Sequence, residues 1–323
     1  MRGLKPGPLT ADSLAAAVAA AGGSEWTDRD HLAVAVSGGP DSLALLWLAA
    51  HAFPGRAHIL TFDHRLRAAS ADEAETVARL ADSVGLPHAT LTPETSIPAT
   101  NLQAEARAAR FATLENWCTS HGVRWLLTAH HADDQAETLL MRLARGSGLD
   151  GLVGIRARRA LSPTVTLLRP LLGWRKSDLA AIVAAAGWTA ADDPSNQDLR
   201  FDRTAARNLL RTADWLDPQR LAASADHLAE AQRALAWMAD EIWRTRGEVT
   251  EEGVMLDPEA LPAELRRRLL VRGLAEMRET APRGSAIFGL MKKLEAGNSG
   301  TIGAVWARSR DGRWLLSPAP LRR

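Results

Sequence analysis

The segment HLAVAVSGGPDSLALLWLAA, residues 31–50, decides the fold. Residues 32–36 read as a buried strand and 42–52 as a helix, joined through Ser37-Gly38-Gly39-Pro40-Asp41-Ser42. A strand-to-helix turn with two glycines can aim several backbone N–H groups at one point, and the helix N-terminus behind them completes an anion cradle. The hydroxyls of Ser37 and Ser42 add two side-chain donors. GxxxxGKS is absent and no lysine stands nearby, so this is not a Walker A loop. Asp41 is the odd member. A carboxylate repels phosphate unless a divalent cation bridges the two, so Asp41 points to a magnesium nucleotide rather than to any anion. The plain alternative is a tight turn followed by a helix-capping aspartate.

Working outward, strand-like runs at 57–62, 88–92 and 123–129 alternate with helical patterns at 70–84, 101–121 and 132–145. The first of these helices carries Ser70 and Glu73 at capping-box spacing, and a short Ala-rich run at 15–21 reads as part of an earlier helix. Almost wholly apolar strands between helices predict an α/β fold, a parallel sheet covered by helices on both faces. Ligands bind such sheets beyond the carboxyl ends of the strands. Three polar clusters fall there: SGGPDS, FDHRLR (62–67) and TAHHADD (128–134). A strand-like piece at 165–172 and a helix ended by Gly187 follow, then a polar loop and an arginine-studded helix, DDPSNQDLRFDRTAARNLLR (192–211). From about 216 helices dominate, and GTIGAVWARSRDGRWLLSP reads as a hairpin about Asp311-Gly312. The expected division is a catalytic domain over 1–215 and a smaller, mainly helical domain over 216–323 that ends in this hairpin.

Composition narrows the class. The chain has 323 residues, 46% hydrophobic and 24% charged, as in an ordinary soluble globular protein. No apolar stretch reaches the length of a membrane span, and MRGLKPGPLT is not followed by a signal-peptide core, so the expected location is the cytoplasm, with no membrane partner. Cys118 is the only cysteine, which excludes intramolecular disulfides, CxxC redox chemistry and cysteine-held clusters within the chain. Residues 1–150 carry a net charge of −5 and residues 151–323 a net of +6, an excess that suits a polyanion such as RNA. Of the 39 basic residues 35 are arginine, whose fork fits phosphate, although a GC-rich genome produces the same bias.

The turn matches SGGxDS throughout, and here the chain resembles the N-type ATP pyrophosphatases, which cleave ATP to AMP and pyrophosphate. Further segments resemble one family among them, the tRNA(Ile)-lysidine synthetases. FDHRLR with Ser70 and Glu73 is similar to V-D-H-x-L-R…S…E, and NLQAEARAARF (101–111) to E-A-x-A-R-x-x-R-Y. LLTAHHADDQAETLLMRLARGSGLDGLVGI (126–155) is similar to T-A-H-H-x-D-D-x-x-E-T…R-G-[ST]-G-x-x-G-L almost throughout. RPLL (169–172) and DDPSN (192–196) with Arg203 and Arg207 complete the set, and the terminal hairpin loosely resembles the family's small C-terminal domain.

The resemblance implies ATP-dependent attachment of free L-lysine to the wobble cytidine of tRNA(Ile) with a CAU anticodon. ATP adenylates the C2 oxygen, the lysine amine attacks C2, and AMP leaves. It implies ATP and Mg2+ as cofactors. Ser37, Gly38, Gly39, Pro40, Asp41, Ser42, Asp63 and His64 become the nucleotide-binding candidates, with Asp41 toward the metal. Asp41, His131, Asp134 and Glu137 become the catalytic candidates, and Arg110, Arg203 and Arg207 would counter triphosphate or RNA charge. The second domain would bind tRNA. Two departures stand out: Arg203-Thr-Ala-Ala-Arg207 lacks the large aliphatic residue before its second arginine, and the C-terminal region is short.

The residues themselves leave several readings open. His130, His131, Asp133, Asp134 and Glu137 fit a metal cluster, a helix start or a catalytic face. Asp134 and Glu137, at i,i+3, share one side of a helix, where they would hold an ammonium group or help to bind Mg2+. Acids in a first turn also complement the helix dipole, but that does not explain the adjacent histidine pair. An imidazole suits removal of the proton that an attacking ammonium must lose, and the sequence does not separate His130 from His131. The eleven tryptophans read mainly as core, and Arg266-Arg267-Arg268 as a solvated face or a phosphate contact. Of the other readings, a tRNA thiolase leans on cysteines or a sulfur relay, for which the single mid-helix Cys118 is a poor start, and a non-catalytic regulator has no need of carboxylates beside phosphate.

Overall fold

The computed structural model describes residues 7–65, 69–93, 102–190, 202–279 and 284–320. Leu66, Arg67, Asn101 and the DDPSN segment lie outside the described residues. The chain forms two compact units, residues 1–228 and 229–323, and the division falls inside one long helix.

The first unit runs α1 (Ala11–Gly22), β1 (Leu32–Ala35), α2 (Pro40–Ala52), β2 (Ala57–Phe62), α3 (Ala69–Ser83), β3 (His88–Leu91) and α4 (Leu102–Ser120). It continues with β4 (Trp125–Leu127), α5 (Ala132–Ala144), α6 (Leu149–Leu152), β5 (Arg158–Ala160), β6 (Thr166–Leu168), α7 (Lys176–Ala185) and α8 (Asp202–Thr212), then enters α9 (Pro218–Arg246). Six strands form one sheet in the order β3-β2-β1-β4-β6-β5. All neighbours are parallel except β5, which runs antiparallel to β6. Val34 of β1 sits opposite Ile59 on one side and Leu127 on the other, so the SGGPDS turn leaves the sheet at its centre.

Strand alternation sends successive side chains to opposite faces, and here both faces are covered. Leu32 and Val34 join one core with Leu43 and Leu46 of α2 and Val77 of α3, while Ala33 and Ala35 join another with Leu114 and Cys118 of α4. Nearly every position of α2 from Ser42 to Ala49 is buried, which is why its sequence is apolar all round rather than amphipathic.

The second unit contains the end of α9, then β7 (Gly247–Thr250), β8 (Gly253–Leu256), α10 (Ala263–Glu276), α11 (Gly284–Glu295), β9 (Ser299–Ile302), β10 (Val305–Arg310) and β11 (Arg313–Pro318). The expected hairpin is β10–β11. Its turn residues Asp311 and Gly312 both have positive φ, 51° and 77°, as a tight two-residue connection requires. The hairpin lies within a five-stranded antiparallel sheet, β7-β8-β11-β10-β9, so the mainly helical unit ends in a larger sheet than the hairpin alone. Val254, Leu256, Trp314 and Leu316 pack against Leu269, Leu270 and Leu274 of α10 and Ile287, Leu290 and Leu294 of α11. Among the described residues no helix is long and apolar enough to cross a membrane.

Candidate active site

The turn between β1 and α2 owes its shape to its small residues. Gly38 has φ +85°, while an added Cβ there would meet nothing nearer than 3.7 Å, so backbone conformation rather than space demands glycine. Gly39 is the N-cap and Pro40 occupies the first turn, where its missing N–H costs nothing. Ser42 is buried, and its hydroxyl accepts from the Ser37 N–H at 3.1 Å and donates to the Gly39 carbonyl at 2.9 Å. Ser42 therefore braces the loop from inside, whereas Ser37, Gly39, Pro40 and Asp41 face a cavity of about 810 Å3.

Asp41 and His131 meet at that cavity. His131 is the N-cap of α5: the Asp134 N–H points at Nδ1, 3.4 Å away, and the His131 N–H donates to the Asp134 carboxylate at 3.2 Å. With Nδ1 engaged as an acceptor, the neutral ring carries its proton on Nε2, which lies 3.5 Å from Asp41 and 3.5 Å from Asp134. Burial pushes the His131 pKa down, but the Asp41 hydrogen bond and the charges of Asp134, Asp41 and Asp133 outweigh it and leave the pKa raised. The second carboxylate oxygen of Asp41, Oδ1, is buried and makes no hydrogen bond to any described residue. Among the described residues no group of three or more His, Cys, Asp and Glu could hold a metal by itself. A carboxylate oxygen without a hydrogen-bond partner beside a phosphate cradle fits Mg2+ that arrives with its nucleotide, because this ion takes one or two protein carboxylates plus phosphate oxygens.

The other acids of the TAHHADD block divide the work. Asp133 accepts from the Lys176 N–H at 2.8 Å and the Arg175 guanidinium at 3.3 Å, tying α5 to the start of α7. Glu137 is almost fully buried and takes Arg207 at 2.8 Å and Arg203 at 3.0 Å, and Arg203 also reaches Asp134 at 3.7 Å. The two arginines lie on one face of α8, four residues apart, and their first counter-charge is this glutamate.

The cavity wall thus brings together Ser37, Gly39, Pro40, Asp41, His64, Arg110, His131, Asp134, Glu137, Arg203 and Arg207. Asp63 stands off it. Its carboxylate accepts from the Ser70 hydroxyl at 2.6 Å and the Arg65 N–H at 2.8 Å. Burial raises the Asp63 pKa, these bonds outweigh it, and the net shift is downward. Glu73, Arg107 and Lys176 also line the cavity and were not singled out as site residues from sequence, although Glu73 and Arg107 fall inside the matched segments. His130 faces the other way, into a second cavity with Arg107, Arg169 and Arg203. Its Nδ1 lies 3.0 Å from the Thr128 hydroxyl, and burial, then Arg169, Arg107, Arg110 and Arg203, push its pKa down to about 3.

The parallel sheet, the phosphate-cradling turn at its centre and the carboxylate-lined cavity beyond define a PP-loop ATPase domain, and residues 12–213 match the PP-loop domain family. The chain is 42% identical over 305 residues to the tRNA(Ile)-lysidine synthase of Novosphingobium aromaticivorans, covering 93% of both chains. It is 40% identical over 297 residues to that of Zymomonas mobilis, covering 90% of this chain and 89% of the relative. It belongs to the tRNA(Ile)-lysidine synthase family. Among solved structures, the U34-tRNA thiolase NcsA from Methanococcus maripaludis with its [4Fe-4S] cluster shares the fold, with TM-score 0.55 and 15% identity over 68% of this chain and 78% of that one.

Proposed function

We propose that the protein is an ATP-dependent ligase that joins free L-lysine to C2 of the wobble cytidine of CAU-anticodon tRNA(Ile), acting in the cytoplasm. The observation that carries the reading is the pairing of the SGGPDS turn with Asp41 and His131 in one cavity, inside a chain of this family. The turn's N–H groups and Ser37 take the pyrophosphate end of ATP. Asp41 would hold Mg2+ through Oδ1, and the ion would supply neutralising charge to the phosphates. The adenylated C2 oxygen then makes C2 an electrophile for the lysine ε-amine. That amine must shed a proton before it attacks, and His131 can take it at Nε2 once that nitrogen has passed its own proton to the Asp41 or Asp134 carboxylate, each 3.5 Å away. Asp134 contributes charge for the incoming ammonium. Arg110, Arg203 and Arg207 bring guanidinium groups to the same wall for the triphosphate and the RNA.

The second unit is assigned to tRNA binding. Arg308 lies over the Trp306 ring at 4.6 Å on β10, and the sheet carries Arg310 and Arg313 at the hairpin end. A sulfur-transfer reading is poorer: Cys118 is buried in the α4 core, and burial, then Glu115, push its thiol pKa up to about 12, far from a reactive thiolate.

The test offers Mg-ATP, radiolabelled lysine and an unmodified CAU-anticodon tRNA(Ile) transcript, with a CAU methionine tRNA as control. Label in the isoleucine tRNA alone, with AMP released, is the expected result. ATP cleavage without labelling would leave the fold assignment standing and refute the substrate. No ATP cleavage under any condition would leave a non-catalytic binder.

A further inference from the structure

We propose that the second cavity of the first unit, walled by Arg107, Arg142, Arg156, Arg159, Arg169 and Arg203, is a phosphate-binding subsite that takes phosphodiester groups of the RNA strand flanking the target nucleotide. The proposal rests on the reading of the preceding subsection. The cavity measures about 560 Å3 and shares Arg107 and Arg203 with the first cavity, so the two are adjacent. Its walls come from α4, α5, β5, α8 and the residues flanking them, spread over nearly a hundred positions of sequence.

Arg203 has Glu137 and Asp134, and Arg142 donates to the Gly151 and Gly154 carbonyls, but among the described residues Arg156, Arg159 and Arg169 form no ion pair. Asp150 is the one carboxylate in it. Arg169 is decisive: it is 5% exposed, one terminal nitrogen donates to the Arg156 carbonyl at 2.7 Å, and its Nε makes no hydrogen bond. Among the described residues no carboxylate pairs with it, and the charges that bear on it, Arg107 and Arg159, are of its own sign. Burial and those two arginines lower its pKa to about 10, yet it stays charged near neutrality. A buried guanidinium without a counter-ion is costly to hold, and an anion from outside removes that cost. His130 registers the same field: as the neutral member of the wall it adds a polar group without adding charge.

The chemistry of the occupant follows from charge count and shape. Arginine forks match phosphate oxygens two at a time. Free lysine brings one carboxylate and two ammonium groups, which this wall repels. ATP already has its phosphates directed to the SGGPDS turn. A single strand entering beside the target base brings one charge per nucleotide along its length, which suits several guanidinium groups in a row.

The test uses the full-length protein and the double variant Arg156→Gln/Arg159→Gln, two exposed side chains that anchor nothing in the fold. Binding of a fluorescent anticodon stem-loop RNA is followed by anisotropy from 50 to 200 mM salt, with ATP affinity and lysine incorporation measured alongside. The expected result is RNA binding weakened by roughly tenfold, with a log–log salt slope shallower by about 0.7 for each phosphate no longer neutralised and ATP affinity unchanged. Inorganic pyrophosphate is titrated as the rival ligand: if the variant loses pyrophosphate binding but keeps RNA affinity, the subsite belongs to the free anion and the proposal is overturned. Unchanged RNA affinity and slope in a variant of an enzyme that labels tRNA(Ile) overturn the subsite alone. A wild-type protein that neither binds the stem-loop nor labels tRNA overturns the subsite together with the function on which it rests.

Discussion

His130 and His131 are neighbours in the chain and belong to opposite electrostatic worlds. His131 caps α5 with its ring between Asp41 and Asp134, and those carboxylates hold its proton on. His130, one residue earlier, faces the arginines and is driven toward the neutral form. The extended backbone between β4 and α5 turns successive side chains to opposite sides, so one dipeptide serves two cavities. Position in sequence conveys little about a histidine's protonation; the charges that face it decide.

The contrast can be broken hardest at the carboxylate side. Asp41→Ala should cut lysine incorporation by about a thousandfold or more while the urea midpoint stays near that of wild type, since Asp41 lies at the cavity wall rather than in the core. A folded, fully active variant refutes the metal role. Glu137→Gln removes the shared partner of Arg203 and Arg207 and should cost about 1–3 kcal/mol in urea denaturation, at the low end for a buried pair because both arginines are two-fifths exposed or more. A loss below about 0.5 kcal/mol would mean that the forks find other partners.

The two histidines themselves give opposite pH slopes. His131 has a raised folded pKa, so its contribution to stability is fully present below the unfolded value of 6.5 and is lost as pH rises through the folded value. His130 is depressed to about 3, so its contribution is present above 6.5 and is lost as pH falls toward 3, at about 1.4 kcal/mol per pH unit. Denaturation from pH 4 to 6 should therefore show a shallower rise of stability with pH in His130→Asn than in wild type; an unchanged slope would remove the arginine field from the account. The smallest effect is expected in the second unit. Arg267 and Arg268 both engage Glu264 on their own helix and Arg266 engages Glu295, all three a third exposed or less, so that run is not a solvated face. Arg233, by contrast, pairs with Glu230 on the exposed side of α9, and Arg233→Gln should shift stability by about 1 kcal/mol or less and leave stem-loop affinity within about twofold.

The same two cavities show what a sequence discloses. The side with the SGGPDS turn was legible as structure because its parts are local: one turn and one helix start, each fixed by residues within six positions of one another. Asp63 was placed by its strand end, yet a neighbouring serine and a backbone N–H claim its carboxylate, which only the folded turn reveals. The arginine side was illegible because it is assembled from residues between 107 and 203, and each arginine alone looks like any solvated one. β5 escaped notice because Arg158, Arg159 and Ala160 are all exposed and carry no apolar alternation. The short strands β7, β8 and β9 escaped likewise: none exceeds four residues, and Val249 on β7 is 67% exposed.

That reversed strand has a consequence beyond the cavities. A parallel sheet ending at β6, with its row Thr166-Leu167-Leu168 uncovered, would offer free amides and carbonyls to any passing chain, an invitation to stack edge on edge. Three residues turned back along it close that row. They present Arg158, tied to Glu25, and Arg159 at the rim, and like charge on two approaching copies keeps them apart. The strand that lends an arginine to the second cavity also covers the outer row of β6 and puts charge at this edge of the sheet.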